Sequence, residues 1–368
     1  MKFFCTTDFG NEWFLEKEFS KRFNITGSLI GNCLVFESNI ETVVKIGYLA
    51  QSIKDIGFLL FYKENKDFDE DLIVKEISEN SYIKQIPNLK KLDDFTIRVE
   101  TNDNAIKSRA FEISNKLGDK IANKYQVTKN FKLAKRLFTL NVYKENDSYS
   151  YVFGLSLFNQ DLSKRTYRVF VNKTALKPLT AFSLVLFSDL KKHQRIVDFL
   201  CKDNTLVLEA YHYLANRSVR RYDKTELINK ASIEFDFNKV FNEVDDNEID
   251  ELNIFATDMA FPNIDAARKN AKIAGIAKKI HFSKKDLRFF DLSYDEKFDK
   301  ALTYVSLSKY RKNTIVDKIK NFVLPMIKKD LNVITNIPEE FENAGLNILK
   351  QQEINQGELR LHMLKIVP

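Results

Sequence analysis

The stretch Arg195–Tyr213, RIVDFLCKDNTLVLEAYHY, constrains this chain more than any other. Ile196, Val197, Asp198 and Phe199 read as a buried strand. Cys201–Asn204 reads as a turn, and Thr205–Tyr213 as the start of a helix with Leu206, Val207, Leu208 and Ala210 on its apolar side. A strand, a tight turn and a helix N-terminus form the usual place for a nucleotide in an open α/β sheet. Such a turn normally uses glycine, which lets the backbone bend sharply and the ligand come close. Here the turn is Lys202-Asp203-Asn204, and no glycine occurs between Gly154 and Gly275.

A chain of 368 residues predicts two or three domains with sizeable cores. Hydrophobic residues make up 44% and charged residues 30%, the balance of a soluble globular protein. The formal charge of +7 is compatible with a nucleic-acid partner without demanding one. Cys5, Cys33 and Cys201 are scattered, and His193, His212, His281 and His362 do not cluster, so neither a disulfide framework nor a structural metal is expected. The N-terminus lacks the apolar core of a signal peptide, and no run of 18 apolar residues occurs. A cytoplasmic location with no membrane partner is the expectation.

Residues 1–90 mix short strands (Phe3–Thr6, Cys33–Glu37) with amphipathic helices (Glu12–Phe23, Ile40–Gln51) and a charged turn at Lys63–Asp71. Pro87–Asp94 reads as a boundary. Residues 91–160 follow as strand Phe95–Glu100, helix Asn104–Lys124 capped by Asp103 or Asn104, and strands Phe138–Tyr143 and Tyr149–Leu155 around an Asn146-Asp147 turn. Residues 161–190 hold a basic, aromatic connector and a lead-in helix at Lys177–Leu190. In residues 191–368, strands at Leu252–Asp258, Ile280–Ser283, Phe298–Val305 and Leu331–Thr335 alternate with helices at Ile264–Ala274 and Arg311–Lys328. Ile348–Glu353 and Leu359–Val367 close as an antiparallel pair. The alternation implies a mainly parallel sheet with helices on both faces. The charged stretch Asn216–Glu251 reads as a solvated insertion.

The order of motifs resembles the THUMP-domain-containing tRNA and rRNA (guanine-N2) methyltransferases, over nearly the whole chain. SKRTYRVFVNKTALKPLTAFSLV (Ser163–Val185) is similar to the family's linker through Lys164, Arg165, Tyr167, Arg168, Ala175, Leu176 and Lys177. VDFLCKDNTLVLEA resembles the motif D-P-x-C-G-S-G-T-hydrophobic-E-A, with Asp198, Cys201, Thr205, Glu209 and Ala210 kept. FATDMAFPNIDAARKNAKIAGI resembles the second motif through Asp258, Ala267, Arg268, Asn270, Ala271, Ala274 and Gly275, and IHFSKKDLRFFDL resembles the third through Asp286. The resemblance implies a Rossmann-like methyltransferase domain preceded by an α+β region, a ferredoxin-like unit and a THUMP RNA-binding unit. It implies S-adenosylmethionine as cofactor, with Asp198, Cys201, Thr205, Asp258 and Asp286 around it. Asp258 would accept from the ribose hydroxyls and Asp286 would meet the adenine amine.

Two departures bear on chemistry. The G-S-G turn has become Lys202-Asp203-Asn204, which places side chains where the methionine part of the donor would lie; Lys202 in a left-handed conformation is costly, Asn204 less so. A favourable alternative pairs Lys202 with the donor's carboxylate. The family's N-P-P-Y motif is replaced by Tyr304-Val305-Ser306-Leu307-Ser308, with Tyr304 at the Asn position, or with the register slipped and Tyr310 as the aromatic.

Three functions remain in view. The first is an RNA-binding protein, with tRNA foremost, whose catalytic domain is a degenerate pseudoenzyme acting as scaffold or beside a catalytic methyltransferase partner. Its RNA contacts would be Lys107, Arg109, Lys116, Lys120, Lys124, Lys129, Lys132, Lys135, Arg136, Lys164, Arg165 and Arg168, with Phe131 for stacking. The second is an active S-adenosylmethionine-dependent RNA methyltransferase with atypical motifs. The third is a small-molecule or protein-interaction module on the same fold. No DNA partner is expected.

Overall fold

The computed structural model describes residues 1–80, 83–130, 134–172, 174–246, 251–306, 314–357 and 359–368. The chain divides into two units. The first is Met1–Ser163 with Asp223–Glu243; the second is Lys164–Tyr222 with Val244–Pro368.

The first unit holds strands β1 (Lys2–Thr6), β2 (Ser28–Ile30), β3 (Cys33–Glu37), β4 (Asp55–Asn65), β5 (Asp94–Thr101), β6 (Thr128–Lys129), β7 (Arg136–Glu145) and β8 (Ser148–Ser156). Its helices are α1 (Glu12–Glu18), α2 (Ile40–Leu49), α3 (Glu70–Asn80) and α4 (Asn104–Tyr125). The strands form one sheet in the order β2-β3-β1-β4-β8-β7-β5-β6. Only β5 pairs in parallel, with β7 and β6. The boundary expected near residue 90 is therefore no break in the sheet: β4, from one expected domain, pairs along β8 of the next. The charged turn expected at Lys63–Asp71 is shorter than its charge suggested. β4 runs through Lys63–Asn65, and Glu70 already opens α3. Asp103 caps α4 by accepting from the amides of Ala105 and Ile106, as its side chain and position predicted.

The stretch Asn216–Glu251 corrects the expectation of a solvated insertion. It contains α7 (Lys224–Lys230) and α8 (Phe237–Asp245), and residues 223–243 belong to the first unit. Leu227, Phe237, Val240 and Phe241 are buried, and Phe241 stacks on Tyr48 of α2 with ring centroids 4.1 Å apart. Asn159 donates to the Lys230 carbonyl and the Ser232 hydroxyl. The charges of this stretch hide a one-sided apolar helix.

The second unit carries α5 (Pro178–Phe187), β9 (Arg195–Asp198), α6 (Thr205–Leu214), β10 (Asn253–Asp258), α9 (Phe261–Ile273), β11 (His281–Lys284), β12 (Phe298–Val305), α10 (Thr314–Lys318), β13 (Ile327–Thr335), α11 (Pro338–Asn343), β14 (Asn347–Gln356) and β15 (Leu359–Val367). The sheet order is β11-β10-β9-β12-β13-β15-β14. The first five strands run parallel and the last two antiparallel. This is the methyltransferase-like α/β fold, and its order reverses beside β9, where such sheets open a crevice at the carboxyl ends of the strands. The helix expected to reach Lys328 stops sooner, because Pro325 lies in a tightened turn at Leu324–Met326 and β13 begins at Ile327. Among the described residues no helix is long and apolar enough to cross a membrane.

Candidate functional site

The turn from β9 into α6 keeps the backbone path of a glycine turn without glycine. Lys202 (φ 49°) and Asn204 (φ 69°) both lie in the left-handed region. For a lysine that conformation costs roughly 1–2 kcal/mol, so something must hold it. Three backbone anchors do: the Cys201 amide donates to the Thr257 carbonyl (2.9 Å), the Lys202 amide to Asp258 Oδ2 (3.2 Å), and the Asn204 amide to the Cys201 carbonyl (2.6 Å). Asp203 then caps α6: its Oδ1 accepts from the Thr205 amide (3.2 Å) and hydroxyl (2.9 Å), and its Oδ2 lies 3.5 Å from Arg168 Nε. The Asn204 side chain is fully buried and its amide has no hydrogen-bond partner among the described residues.

The turn rests on a braced framework. Asn270 of α9, fully buried, donates to the carbonyls of Asp203 (2.9 Å) and Phe170 (3.0 Å) and accepts from the amides of Val169 (3.3 Å) and Phe170 (2.9 Å). One side chain thus ties the connector, α9 and the turn. Below it, Glu209 of α6 receives Arg165 Nε (2.8 Å) and Nη2 (3.3 Å) and the Tyr167 hydroxyl (2.5 Å). Burial and the Glu209 carboxylate push the Tyr167 phenol well up, so it stays a donor.

The mouth of the turn is lined by Ala175, Leu176, Asp198, Leu200, Cys201, Lys202, Asp203, Thr205, Leu206 and Tyr304. The space left there is about 10 Å³, room for one water. Lys202 is one of the residues that line it. Its Nζ donates to the Thr174 carbonyl (3.1 Å) and sits 4.0 Å from the centroid of the Tyr304 ring. Burial pulls its pKa down to about 8, against the opposing pull of Asp198, Asp258 and Asp203. Burial also pushes Asp198 up to about 7, although its Oδ1 accepts from the Leu200 amide, and pushes the Cys201 thiol well above the usual range.

Of the cofactor candidates, the fold gathers Asp198, Cys201, Thr205 and Asp258 at this one turn. Asp258, expected to take ribose hydroxyls, accepts from the amides of Lys202 and Ala260, one on each oxygen. Asp286 stands after β11, where it caps a short turn and pairs with Arg288 (2.6 Å), which holds its carboxyl down at about 2. Tyr304 lies at the end of β12 with its ring under the Lys202 ammonium. Leu307, Tyr310 and the 308–312 stretch lie outside the described residues. The donor fit is poor: about 10 Å³ is free at this turn, and Lys202 and Tyr304 are among the residues that line it.

The RNA candidates are less uniform than their charge suggested. Arg165 is buried on Glu209 and presents no guanidinium to a phosphate, which removes it from that surface, and Arg136 is largely buried. The reason for Arg165 is Glu209; Arg136 turns back onto the Lys135 carbonyl. On α4, Arg109 and Lys116 both reach the buried carboxylate of Glu70, each at 2.6 Å, and so tie α4 to α3. Lys124 donates to the Ser78 and Glu79 carbonyls. Lys129 pairs with Asp119, and Lys135 lies 3.7 Å from Asp93. Lys107, Lys120 and Lys164 are exposed, and Arg168 is drawn to Asp203 and Thr205. Lys132 and Phe131 lie outside the described residues. Two contributors were not foreseen from sequence: the bracing role of Asn270 and the Thr174 carbonyl. The ARKNA text marked Asn270 as a motif residue, but only its burial reveals what it binds; a backbone carbonyl leaves no signal in the sequence.

Residues 165–303 match the RMKL-like methyltransferase domain. A tRNA (guanine(6)-N2)-methyltransferase of Methanocaldococcus jannaschii is 25% identical over 259 residues, 68% of this chain and 66% of the relative, so the match spans just under two thirds of that protein. Among solved structures, SMU.472, reported as a methyltransferase and solved with SAH, superposes with a TM-score of 0.77 at 15% identity, over all of this chain and 97% of that one. TrmN of Thermus thermophilus gives 0.71 at 14% identity, over all of this chain and 99% of its own. The chain resembles the guanine-N2 methyltransferases in sequence and shares the methyltransferase fold.

Proposed function

We propose that this chain is a tRNA-binding protein of the THUMP methyltransferase type whose own donor turn is closed, so that it acts as a scaffold or beside a catalytic partner in RNA modification. The observation that supports the reading is the narrow crevice at this turn, with about 10 Å³ free, where the Lys202 ammonium donates to the Thr174 carbonyl. Lys107 and Lys120 of the first unit, and Lys164 of the second, are the exposed cations best suited to phosphates.

The sequence relative favours a second reading, an active S-adenosylmethionine-dependent tRNA or rRNA guanine-N2 methyltransferase with atypical motifs. In it the Asp258 carboxylate exchanges the amides of Lys202 and Ala260 for the ribose hydroxyls, Lys202 swings out, and Tyr304 supports the base.

Two measurements on the whole chain separate these. Filter binding to tRNA at two salt concentrations is expected to show affinity that falls steeply with salt; no retention at low salt ends both readings. Incubation of tRNA with methyl-labelled S-adenosylmethionine is expected to leave the RNA unlabelled, and incorporation of label by the purified chain decides for the enzyme.

A further inference from the structure

We propose that the cleft beside α1 is a stacking site for an unpaired guanine of the RNA, with Trp13 as its platform. The proposal rests on the reading that the chain binds RNA, and it names a part of that ligand which the first unit recognises. Trp13, Glu16 and Lys17 stand at i, i+3 and i+4, which puts them on one side of the helix, and Ser20 follows in the next turn. Phe14, Leu15, Glu18 and Phe19 take the other side and are buried. Ile25 and Thr26 form the opposite wall of the cleft. The chain reaches them through a wide π-helical turn, Phe19–Phe23, in which the Asn24 amide bonds the Phe19 carbonyl, and then through Asn24 itself in the left-handed region (φ 54°). Wide turns of this kind recur at functional sites. Gly27 fixes the wall: a Cβ there would come within 2.3 Å of the Val35 carbonyl oxygen on β3.

The cleft measures about 290 Å³, near the lower end of small-ligand sites. Its chemistry selects a base. Trp13 is the chain's one tryptophan, 36% exposed, and the buried Phe14 braces its indole edge-on with ring centroids 4.7 Å apart. A braced ring loses little freedom when a base stacks on it. Lys17 Nζ lies 4.5 Å from the indole centroid. A surface contact of that kind is weak, so a phosphate beside the stacked base can draw the ammonium to itself. The Glu16 carboxylate is an acceptor only. Among the four bases guanine alone offers it two adjacent donors, the ring N–H and the exocyclic amine. Adenine and cytosine set an acceptor beside their amine, and uracil sets its one N–H between two carbonyls. A paired base hides both its face and that edge, so the base must be unpaired.

The test is intrinsic fluorescence of the full chain, where Trp13 is the sole indole and reports this cleft alone. The probes are guanosine monophosphate, a short unstructured RNA with one guanosine among uridines, the all-uridine RNA and an acidic peptide. The guanosine RNA is expected to quench the emission saturably, and the all-uridine RNA to bind about fivefold or more weakly. Variants are read by the anisotropy of labelled RNA, with folding followed by circular dichroism. Trp13→Leu is expected to lose about tenfold in affinity for the guanosine RNA, and Trp13→Phe to recover most of it. Glu16→Gln should bring the two RNAs level, and Lys17→Ala should weaken both alike with a shallower salt dependence. The wild-type titration needs no variant to fold. Absent quenching, equal binding of the two RNAs or quenching by the acidic peptide overturns the site, as does folded Trp13→Leu that binds the guanosine RNA like the wild type. Retention of tRNA without quenching by guanosine RNA ends the guanine site and leaves the earlier reading standing. Quenching by guanosine monophosphate without tRNA retention does the reverse.

Discussion

The turn at Cys201–Asn204 and the framework beneath it are built in opposite ways, although Asn270 of the framework bonds the Asp203 carbonyl at 2.9 Å. The framework is closed and fully engaged: Arg165 and Tyr167 on Glu209, and Asn270 on four backbone groups. The turn is strained: two non-glycine residues at positive φ, a buried amide without a partner, and a lysine bent back over a tyrosine. Residues that hold the domain together are matched to their neighbours, and residues that would hold a ligand are matched to each other. The contrast implies that the framework carries stability and the turn costs it.

The largest break in that contrast comes from Glu209→Ala. It strands Arg165 in the interior without its counter-charge, and removing one partner of a buried pair costs about 3–5 kcal/mol. Urea unfolding of the second unit's signal should show a loss of that size, with Glu209→Gln losing less; a change under about 1 kcal/mol would mean that Arg165 finds water and the framework is not what holds the domain. Asn270→Ala comes next. It deprives the connector and the turn of four hydrogen bonds, and with part of the connector open to water the expected cost is about 2 kcal/mol. The same melt reads it, and protease cleavage within Val169–Val171 should quicken with it.

Most of the fold was legible because it rests on local patterns, whereas the framework, whose contacts join residues 44 and 67 apart in the chain, was legible only as motif residues. Alternation and three-to-four spacing located β9, α6, β10 and α4 to within a residue or two, and the closing hairpin to within three, since a buried face writes its period into the chain. The insertion was not legible. Seen as composition, 216–251 is charged, and the surface that covers the buried Phe237, Val240 and Phe241 of α8 comes from distant residues, among them Tyr48 of α2 and Phe158. The pairing of the basic residues on α4 was illegible for the same reason. Counting lysines finds Arg109 and Lys116, but Glu70 lies on another helix, and no spacing along α4 announces it. At the turn, the loss of glycine could be read directly, while the direction in which Lys202 leaves the backbone depends on Tyr304, a hundred residues away.

The turn's cost can also be read by pH, through Asp198. Its folded pKa of about 7, raised by burial, stands above the unfolded value of roughly 3.9. The folded state therefore binds the proton more tightly. That contribution is complete below about pH 4 and is lost as pH rises through 7. Asp198→Asn mimics the protonated form at every pH. Compared with this variant, the wild type should lose urea resistance between pH 5 and pH 7.5. A constant difference across that range would mean that Asp198 is ionised at low cost, and that the turn is less strained than the framework comparison requires.

Asn204→Gly is the smallest and the most direct test of where the strain lies. The residue is fully buried at φ 69°, and neither end of its amide has a partner among the described residues. Glycine removes the unpaired amide and accepts the left-handed backbone freely. It also loosens the unfolded chain, which takes back part of the gain. The net expectation is a stabilisation of about 1 kcal/mol, against the usual direction for a buried large-to-small change. If the variant is instead destabilised by that amount or more, the Asn204 side chain is packed to advantage, and the turn belongs with the framework that supports it.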